Sequence, residues 1–334
     1  MNNIKQSILL ASAALLALAS CSTDDANMQG GEPRQGTPIL LGSVVSAPLT
    51  RASSGIQSTQ LADNEQVNVY ISEVGGSEYS PKVYTVNDGG NLSPVDNIYP
   101  YFPAGDKQLK IYALYPTTLT KDARRFTVRD DQDRQAQYKA SDFMYGQLED
   151  ASGNVRSVAK TPDRQTLVFH HMLSKITVTL KSGEGSPNVA GAAVQLCGVF
   201  REIGFIVNSE TLAGHLSAGS QDEENRGYVT VTSATTANSA GVASSVSAVI
   251  PPQTIRDGHY FLKIRLKGSG DSSVGDVVYY TPGQPFDLES GKEYKFNVTI
   301  NQNGLKVDYT VAPWLSTQDD GGNDNNIYTG RASF

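Results

Sequence analysis

Apolar and polar side chains alternate strictly in the stretch Lys175-Ile176-Thr177-Val178-Thr179-Leu180. In an extended chain successive side chains point to opposite faces, so its three apolar residues share one face. A later stretch repeats the pattern with its even-numbered positions apolar, Tyr294-Lys295-Phe296-Asn297-Val298-Thr299-Ile300. A period of two predicts strands with one buried and one wet face, as in antiparallel sheets.

The rest of the chain also contains short β-like runs. They are rich in Val, Ile, Tyr and Thr and separated by Gly, Asn, Asp and Pro, and the clearest are 67–71, 109–115, 167–169, 228–232, 260–266, 277–280 and 305–311. No amphipathic helix longer than two turns is predicted, although short helices fit 122–125 and 222–225. We therefore expect an all-β protein. The spacing of turn signals favours two antiparallel β-sandwich domains in tandem over a barrel or a propeller.

A polar stretch at 149–164 separates two β-rich halves, and the 334 residues are enough for two domains. We place the boundary near residue 160. The predicted division is a leader, a flexible Gly-rich tether, an N-terminal domain and a C-terminal domain that ends in a polar tail, at 1–20, 21–36, 37–160 and 161–334 with the tail at 316–334.

The leader has the features of an export signal. Lys5 is its only charge, an apolar segment follows at 8–19, and small residues precede Cys21. This order resembles the lipobox of bacterial lipoproteins, so we expect Cys21 to be acylated. Each buried acyl methylene contributes about 0.8 kcal/mol, so several acyl chains hold a protein on a membrane without a spanning helix.

Charge and cysteine content exclude several classes of function. A net charge of −7 disfavours nucleic acid, because phosphate backbones repel an acidic protein. With Cys21 acylated, Cys197 is left without an intramolecular partner, and its apolar surroundings at 194–200 predict a buried structural thiol. No Cys/His spacing of the zinc-binding kind occurs, so neither a metal nor a cofactor is expected.

Nothing in the sequence predicts an enzyme. His170 and His171 are neighbours on a predicted strand, so they point to opposite faces and do not serve one site; a hydrogen-bonded histidine at the domain junction is expected instead. Trp314 is expected to be a buried plug, with stacking on a sugar as the alternative. Paired carboxylates of the glycosidase kind need no fixed spacing, so that one catalytic class stays open.

In order and spacing, several motifs together resemble the fimbrillins, the subunits of type V pili from Gram-negative anaerobes. They are the lipobox at Cys21, Thr50-Arg51-Ala52, Phe102-Pro103, Tyr115-Pro116, Ser141-Asp142-Phe143-Met144-Tyr145-Gly146, the run 167–176, Gly291-Lys292-Glu293-Tyr294 and Pro313-Trp314. The resemblance implies two transthyretin-like β-sandwich domains. It also implies export as a lipoprotein and assembly by strand exchange after proteolysis.

Residues 37–51 supply a first strand, and Arg51 follows in a polar turn. The resemblance implies that a trypsin-like protease cuts between Arg51 and Ala52 and thereby removes this strand. A strand from a neighbouring subunit would then fill the vacated groove. The alternative is an ordinary first strand followed by an ordinary loop.

The C-terminal tail is the expected donor of that strand. An acidic, Gly-rich hinge at 319–326 precedes Ile327 and Phe334, its main apolar residues. Three alternatives remain: a frayed terminus, a donor that includes 305–311, and calcium binding by the acidic hinge, which matches no EF-hand spacing.

The sequence thus predicts a non-enzymatic shaft subunit of a surface pilus that supports cell adhesion. Its expected partners are other copies of itself, accessory pilus subunits, the protease and, before processing, the outer membrane. An anchor or tip subunit of the same pilus is one alternative. A glycan-binding surface lipoprotein of the outer membrane is the other, and it would bind a polysaccharide as a monomer.

Overall fold

The computed structural model describes residues 36–46, 61–122, 125–208, 214–217, 222–231, 241, 246–267, 276–314 and, for the backbone only, 331–333. The chain divides into two compact units, Met1–Gly36 and Thr37–Phe334. Apart from Gly36, the described residues all lie in the second unit. No helix among them is long and apolar enough to cross a lipid bilayer.

The first half of the second unit is built around a closed sheet. Its elements are β1 (Leu41–Val45), β2 (Gln66–Glu73), β3 (Lys82–Asn87), β4 (Asn91–Pro94), β5 (Leu109–Tyr115), β6 (Arg125–Thr127), α1 (Gln135–Ser141), β7 (Met144–Leu148) and β8 (Gln165–His171). The sheet runs β1-β4-β3-β2-β5-β7-β8 and closes when β8 pairs with β1. The sequence predicted two facing sheets for this half. The structure has one closed barrel instead, because β1 is hydrogen-bonded to a strand on each side.

In the second half, a five-stranded sheet and a four-stranded sheet lie face to face. Its strands are β9 (Ser174–Ser182), β10 (Ala193–Phe200), β11 (Glu202–Val207), β12 (Gly214–Ser217), β13 (Arg226–Val231), β14 (Val246–Ile250), β15 (Thr254–Ile255), β16 (Leu262–Arg265), β17 (Val277–Thr281), β18 (Phe286–Asp287), β19 (Lys292–Asn301), β20 (Gly304–Pro313) and β21 (Arg331–Ser333). One sheet has the order β13-β10-β16-β17-β21 and the other β14-β9-β19-β20. Phe296 of the second sheet contacts Tyr280 of the first sheet and Phe261, which directly precedes β16, and these rings fill the space between the sheets.

Two smaller sheets complete the fold. One has the order β12-β11-β6, so β6 of the first half pairs with β11 of the second. Phe205 of β11 packs against Phe143 and Tyr145, which lie beside and within β7. The other small sheet is the pair β15-β18.

The all-β prediction is confirmed, and so is the alternation that carried it. In β19 the side chains of Tyr294, Phe296, Val298 and Ile300 are buried while those between them are not. Helix α1 was not predicted, because only Tyr138 and Ser141 of its seven residues are buried and no apolar repeat marks it.

The proposed boundary near residue 160 falls between β7 and β8, which pair with each other in the barrel. The last strand of the barrel, β8, ends at His171, and the first strand of the second half, β9, begins at Ser174.

Candidate functional site

The first strand, β1, is hydrogen-bonded along both of its edges. It pairs with β4 in antiparallel fashion, with Leu41 opposite Leu92. On the other side it runs parallel to β8, from Leu41 opposite Gln165 to Val45 opposite Phe169. The Ser46 amide extends this edge by donating to the Phe169 carbonyl at 2.7 Å. The groove that β1 occupies, lined by β4, β8 and the turn at Gly90, is called the β1 slot below.

The side chains of this segment alternate between the barrel interior and solvent. Ile39 and Leu41 are fully buried and Val45 is 4% exposed, whereas Val44 is 41% exposed. Positions 39, 41, 43 and 45 therefore face inward. Without the segment, the barrel interior would be open along the whole β1 slot.

Ser43 makes a polar contact on the inward face of β1. Its side chain is buried, and Oγ donates a hydrogen bond to the Gly90 carbonyl at 2.9 Å. Gly90 has a φ of +79°, and a Cβ at this residue would lie 2.5 Å from the Ser43 carbonyl oxygen. Backbone meets backbone at this point, and only glycine permits it.

A cation covers the β1–β8 edge from outside the barrel. Arg164 directly precedes β8, and its Nη1 donates to the Leu41 carbonyl at 2.8 Å. The arginine side chain also passes over Gly42, where an added Cβ would come within 3.3 Å of Cδ. The guanidinium thus donates to the carbonyl of a residue that is paired with both β4 and β8.

The end of β8 connects the barrel to the second half of the chain. His171 Nδ1 lies 2.8 Å from Asp142 Oδ1, and both side chains are buried. The His171 ring stacks on Trp314, the residue after β20, with ring centroids 3.8 Å apart. The expectations of a hydrogen-bonded junction histidine and of a buried tryptophan are therefore confirmed.

His170 points the other way, as its place on a strand predicts. Its Nε2 lies 2.5 Å from Glu149 Oε1 on the outside of the barrel. The two histidines thus take part in separate contacts.

Tyr138 lies near the Asp142 carboxyl at the same junction. Burial is the larger cause and this carboxyl the second cause that raise the pKa of Tyr138 well above its ordinary value, so the phenol stays neutral.

Cys197 differs from its prediction, since it is only half-buried. Val194 and Leu196 occupy the inward positions of β10, so Cys197 falls on the outward face. Partial burial raises the pKa of its thiol. Within the described part of the chain, no group of three or more His, Cys, Asp or Glu side chains is placed to hold a metal ion.

Five residues singled out from the sequence lie outside the described residues: Cys21, Arg51, Ala52, Ile327 and Phe334. Of the tail, the backbone of β21 is described, and it pairs antiparallel with β17 from Tyr279 opposite Ser333 to Thr281 opposite Arg331. The contact between Ser43 and Gly90 was not predicted. The glycine pair at 89–90 is the only sequence signal that could have indicated it.

The barrel, the sandwich and a first strand that is paired along both edges place this chain among the all-β proteins. Comparison with known proteins identifies its family. The fimbrillin-like family model matches residues 50–314. Since this is most of the sequence, the chain belongs to the fimbrillin-like family. No curated protein matches the chain.

Two solved structures share the fold at low sequence identity. A candidate cell adhesion protein from Bacteroides uniformis is 17% identical with a TM-score of 0.59, over 83% of this chain and 99% of that one. A second, from Bacteroides ovatus, is 15% identical with a TM-score of 0.58, over 85% of this chain and 100% of that one. Membership of this family indicates a structural role as a pilus subunit in a cell-surface fimbrium. Such a role implies association with other copies and with accessory pilus subunits.

Proposed function

We propose that this chain is a shaft subunit that polymerises by donor-strand exchange in support of cell adhesion. A trypsin-like protease cuts between Arg51 and Ala52, β1 leaves, and a strand from another copy fills the β1 slot. The observation that carries the proposal is the position of β1, hydrogen-bonded to β4 on one side and to β8 on the other. Loss of such a strand leaves two unpaired edges facing each other, which is the geometry that accepts an added strand.

The buried side chains set the size of the effect. Ile39, Leu41 and Val45 are buried in the barrel. At about 1.5–3 kcal/mol for each such side chain, an equivalent incoming strand would contribute roughly 5–9 kcal/mol before the cost of ordering it. Backbone hydrogen bonds to both edges add to this. The sum is large enough to hold two subunits together without a covalent link.

The same cut would separate the folded body from the membrane. Cys21, the proposed site of acylation, lies on the N-terminal side of Arg51 and of β1. The subunit is thus proposed to reach the outer membrane as a lipoprotein. It is released there by the step that opens the β1 slot, so one cleavage couples release to assembly.

The test is the N-terminus of assembled fibres, determined by mass spectrometry of surface material. We expect Ala52 in the wild type. We expect the variant Arg51→Ala to stay uncut and monomeric, since a trypsin-like protease requires the basic residue. Arg134→Ala is the matched control, because Arg134 is an exposed arginine that lies far along the chain from the cut. Assembled fibres that begin at Cys21 and retain β1 would overturn the proposal.

A further inference from the structure

A shallow depression lies at one end of the five-stranded sheet, on the face that points away from the core of the sandwich. Its wall includes Cys197, Glu223, Arg226, Arg256, His259 and Tyr260. Cys197 belongs to β10, Arg226 begins β13, and Tyr260 stands two residues before β16. Side chains from separate parts of the chain therefore converge at a place that the proposed strand exchange does not use.

Two exposed tyrosines border this depression. Tyr260 is 50% exposed, and its ring centroid lies 4.4 Å from that of Tyr279. Tyr228 is 56% exposed and is directly opposite Cys197 in the β10–β13 ladder, so its side chain lies on the same outward face. A single exposed apolar ring is ordinary on a protein surface, whereas several rings gathered at one depression indicate a contact surface.

The charged groups of the depression are fixed by their own contacts. Arg226 Nη1 donates to the Gly198 carbonyl at 2.7 Å, and its guanidinium lies 4.0 Å from the centroid of the Phe200 ring. Arg226 Nε is 3.2 Å from both carboxyl oxygens of Glu223, and Arg256 Nη2 is 2.5 Å from Oε1. Partial desolvation opposes the ionisation of Glu223, but the hydrogen bonds and charges of the two arginines outweigh it and lower its pKa. The carboxylate is thus an ionised acceptor held in one position.

These groups have hydrogen-bonding capacity beyond the contacts that they make with one another. An ionised carboxylate has about four acceptor sites and a guanidinium about five N–H donors, so Glu223 and Arg256 can each bind a further polar group. His259 Nδ1 lies 2.9 Å from the Asp257 carbonyl oxygen. Because a carbonyl only accepts, Nδ1 carries the proton, and Nε2 of the neutral ring is an acceptor. Donors, acceptors and aromatic rings therefore surround one depression.

This combination matches the chemistry of a carbohydrate. A sugar ring has an apolar C–H face that packs on an aromatic ring, and a rim of hydroxyls that both donate and accept hydrogen bonds. Tyrosine supplies apolar ring surface with a polar hydroxyl at its end. A helix or strand that docks by its apolar face requires a continuous apolar surface, which Glu223 and Arg256 interrupt here.

We infer that this depression binds an oligosaccharide, with one sugar ring against Tyr260, another part of the ligand against Tyr228, and hydroxyls bound by Glu223 and Arg256. The two tyrosines lie on either side of β10, about 10 Å or two strand spacings apart, so a chain of sugars reaches both. The inference goes beyond the proposed function, since β1 contributes nothing to the depression. It gives the subunit a direct contact with a glycan-covered surface.

The experiment applies the uncut full-length chain to a printed array of neutral and acidic oligosaccharides, followed by calorimetric titration with the oligosaccharide that binds most strongly. We expect the wild type to bind. We expect Tyr228→Ala with Tyr260→Ala to bind at least about tenfold more weakly, since buried tyrosine contacts contribute most to such interfaces. Ile206→Ala is the matched control, because Ile206 is 49% exposed but lies in β11, in a different sheet. It should bind as the wild type does.

A second pair of variants separates loss of a contact from loss of structure. Tyr260→Phe keeps the ring and should retain most of the binding, whereas Tyr260→Ala should lose it at an unchanged Tm, because the side chain is half exposed. Wild-type protein that binds no oligosaccharide on the array would overturn the inference, as would equal affinities of Tyr260→Ala and the wild type.

A contact with another protein is the competing outcome. If the wild type binds no oligosaccharide but the double tyrosine variant reduces chemical cross-linking between copies in fibres, the depression is a protein interface and the inference fails. The titrations use uncut monomer. A failure of strand exchange therefore leaves their result intact, and a failure to bind oligosaccharide leaves the proposed assembly intact.

Discussion

The first and last strands of the described chain differ in how they are held. β1 pairs with β4 and with β8 and contributes Leu41 and Val45 to the barrel core. β21 is three residues long and lies at the end of its sheet, where β17 is its one partner among the described strands. Loss of β1 opens a closed barrel, whereas loss of β21 uncovers one edge. The comparison therefore separates a strand that is paired along both edges from a strand that is paired along one.

The largest effect is expected at the core of β1. Leu41→Ala should lower the free energy of unfolding by about 2–5 kcal/mol, because Leu41 is fully buried and its removal leaves a cavity. Val44→Ala is the control on the same strand, and since its side chain is 41% exposed the change should stay within about 0.5 kcal/mol. Urea denaturation of the uncut chain measures both. Similar small values for the two would show that β1 is not an integral part of the barrel.

The next largest effect is expected at the turn before β4, where the Gly90 backbone lies close to the Ser43 carbonyl. Gly89 and Gly90 both have positive φ, +74° and +79°. An added Cβ meets nothing within 4 Å at Gly89, but at Gly90 it meets the Ser43 carbonyl oxygen at 2.5 Å. We expect Gly89→Ala to cost about 1 kcal/mol, the backbone effect alone, and Gly90→Ala to cost about 2–3 kcal/mol.

Urea denaturation curves of Gly89→Ala and Gly90→Ala measure this difference in unfolding free energy, because of the two glycines only Gly90 lies close to β1. Equal costs would mean that the turn tolerates a displaced first strand. Removal of the β1 contact should also shrink the difference between them, so the pair can be measured again after trypsin treatment.

The smallest effect on stability is expected at the tail. A chain that ends at Gly330 lacks β21 and should lose less than about 1 kcal/mol of unfolding free energy, since an edge strand of three residues shields little. Under the proposed function the same truncation should abolish assembly after cleavage. Chromatography of the cut protein measures this, with the intact chain as reference. Undiminished assembly would remove the tail from consideration as the donor.

Local pattern predicted much of this fold, and contacts between distant residues account for what it missed. Alternation located β9 and β19 and identified their buried faces correctly. It placed His170 and His171 on opposite faces, as observed. Helix α1 escaped notice because it has no apolar repeat. For the candidate site, the sequence predicted a first strand but not its two partners or its contact with Gly90, a residue 47 positions away.

The sequence by itself determined the all-β class and the faces of the strands, because alternation and turn residues act over a few neighbouring positions. The tertiary structure alone decided that β1 runs parallel to β8, that this pairing closes a barrel, and that Ser43 meets Gly90. The physical reason is that every residue offers the same backbone donor and acceptor. Which strands pair is therefore set by how the whole set of buried faces packs together.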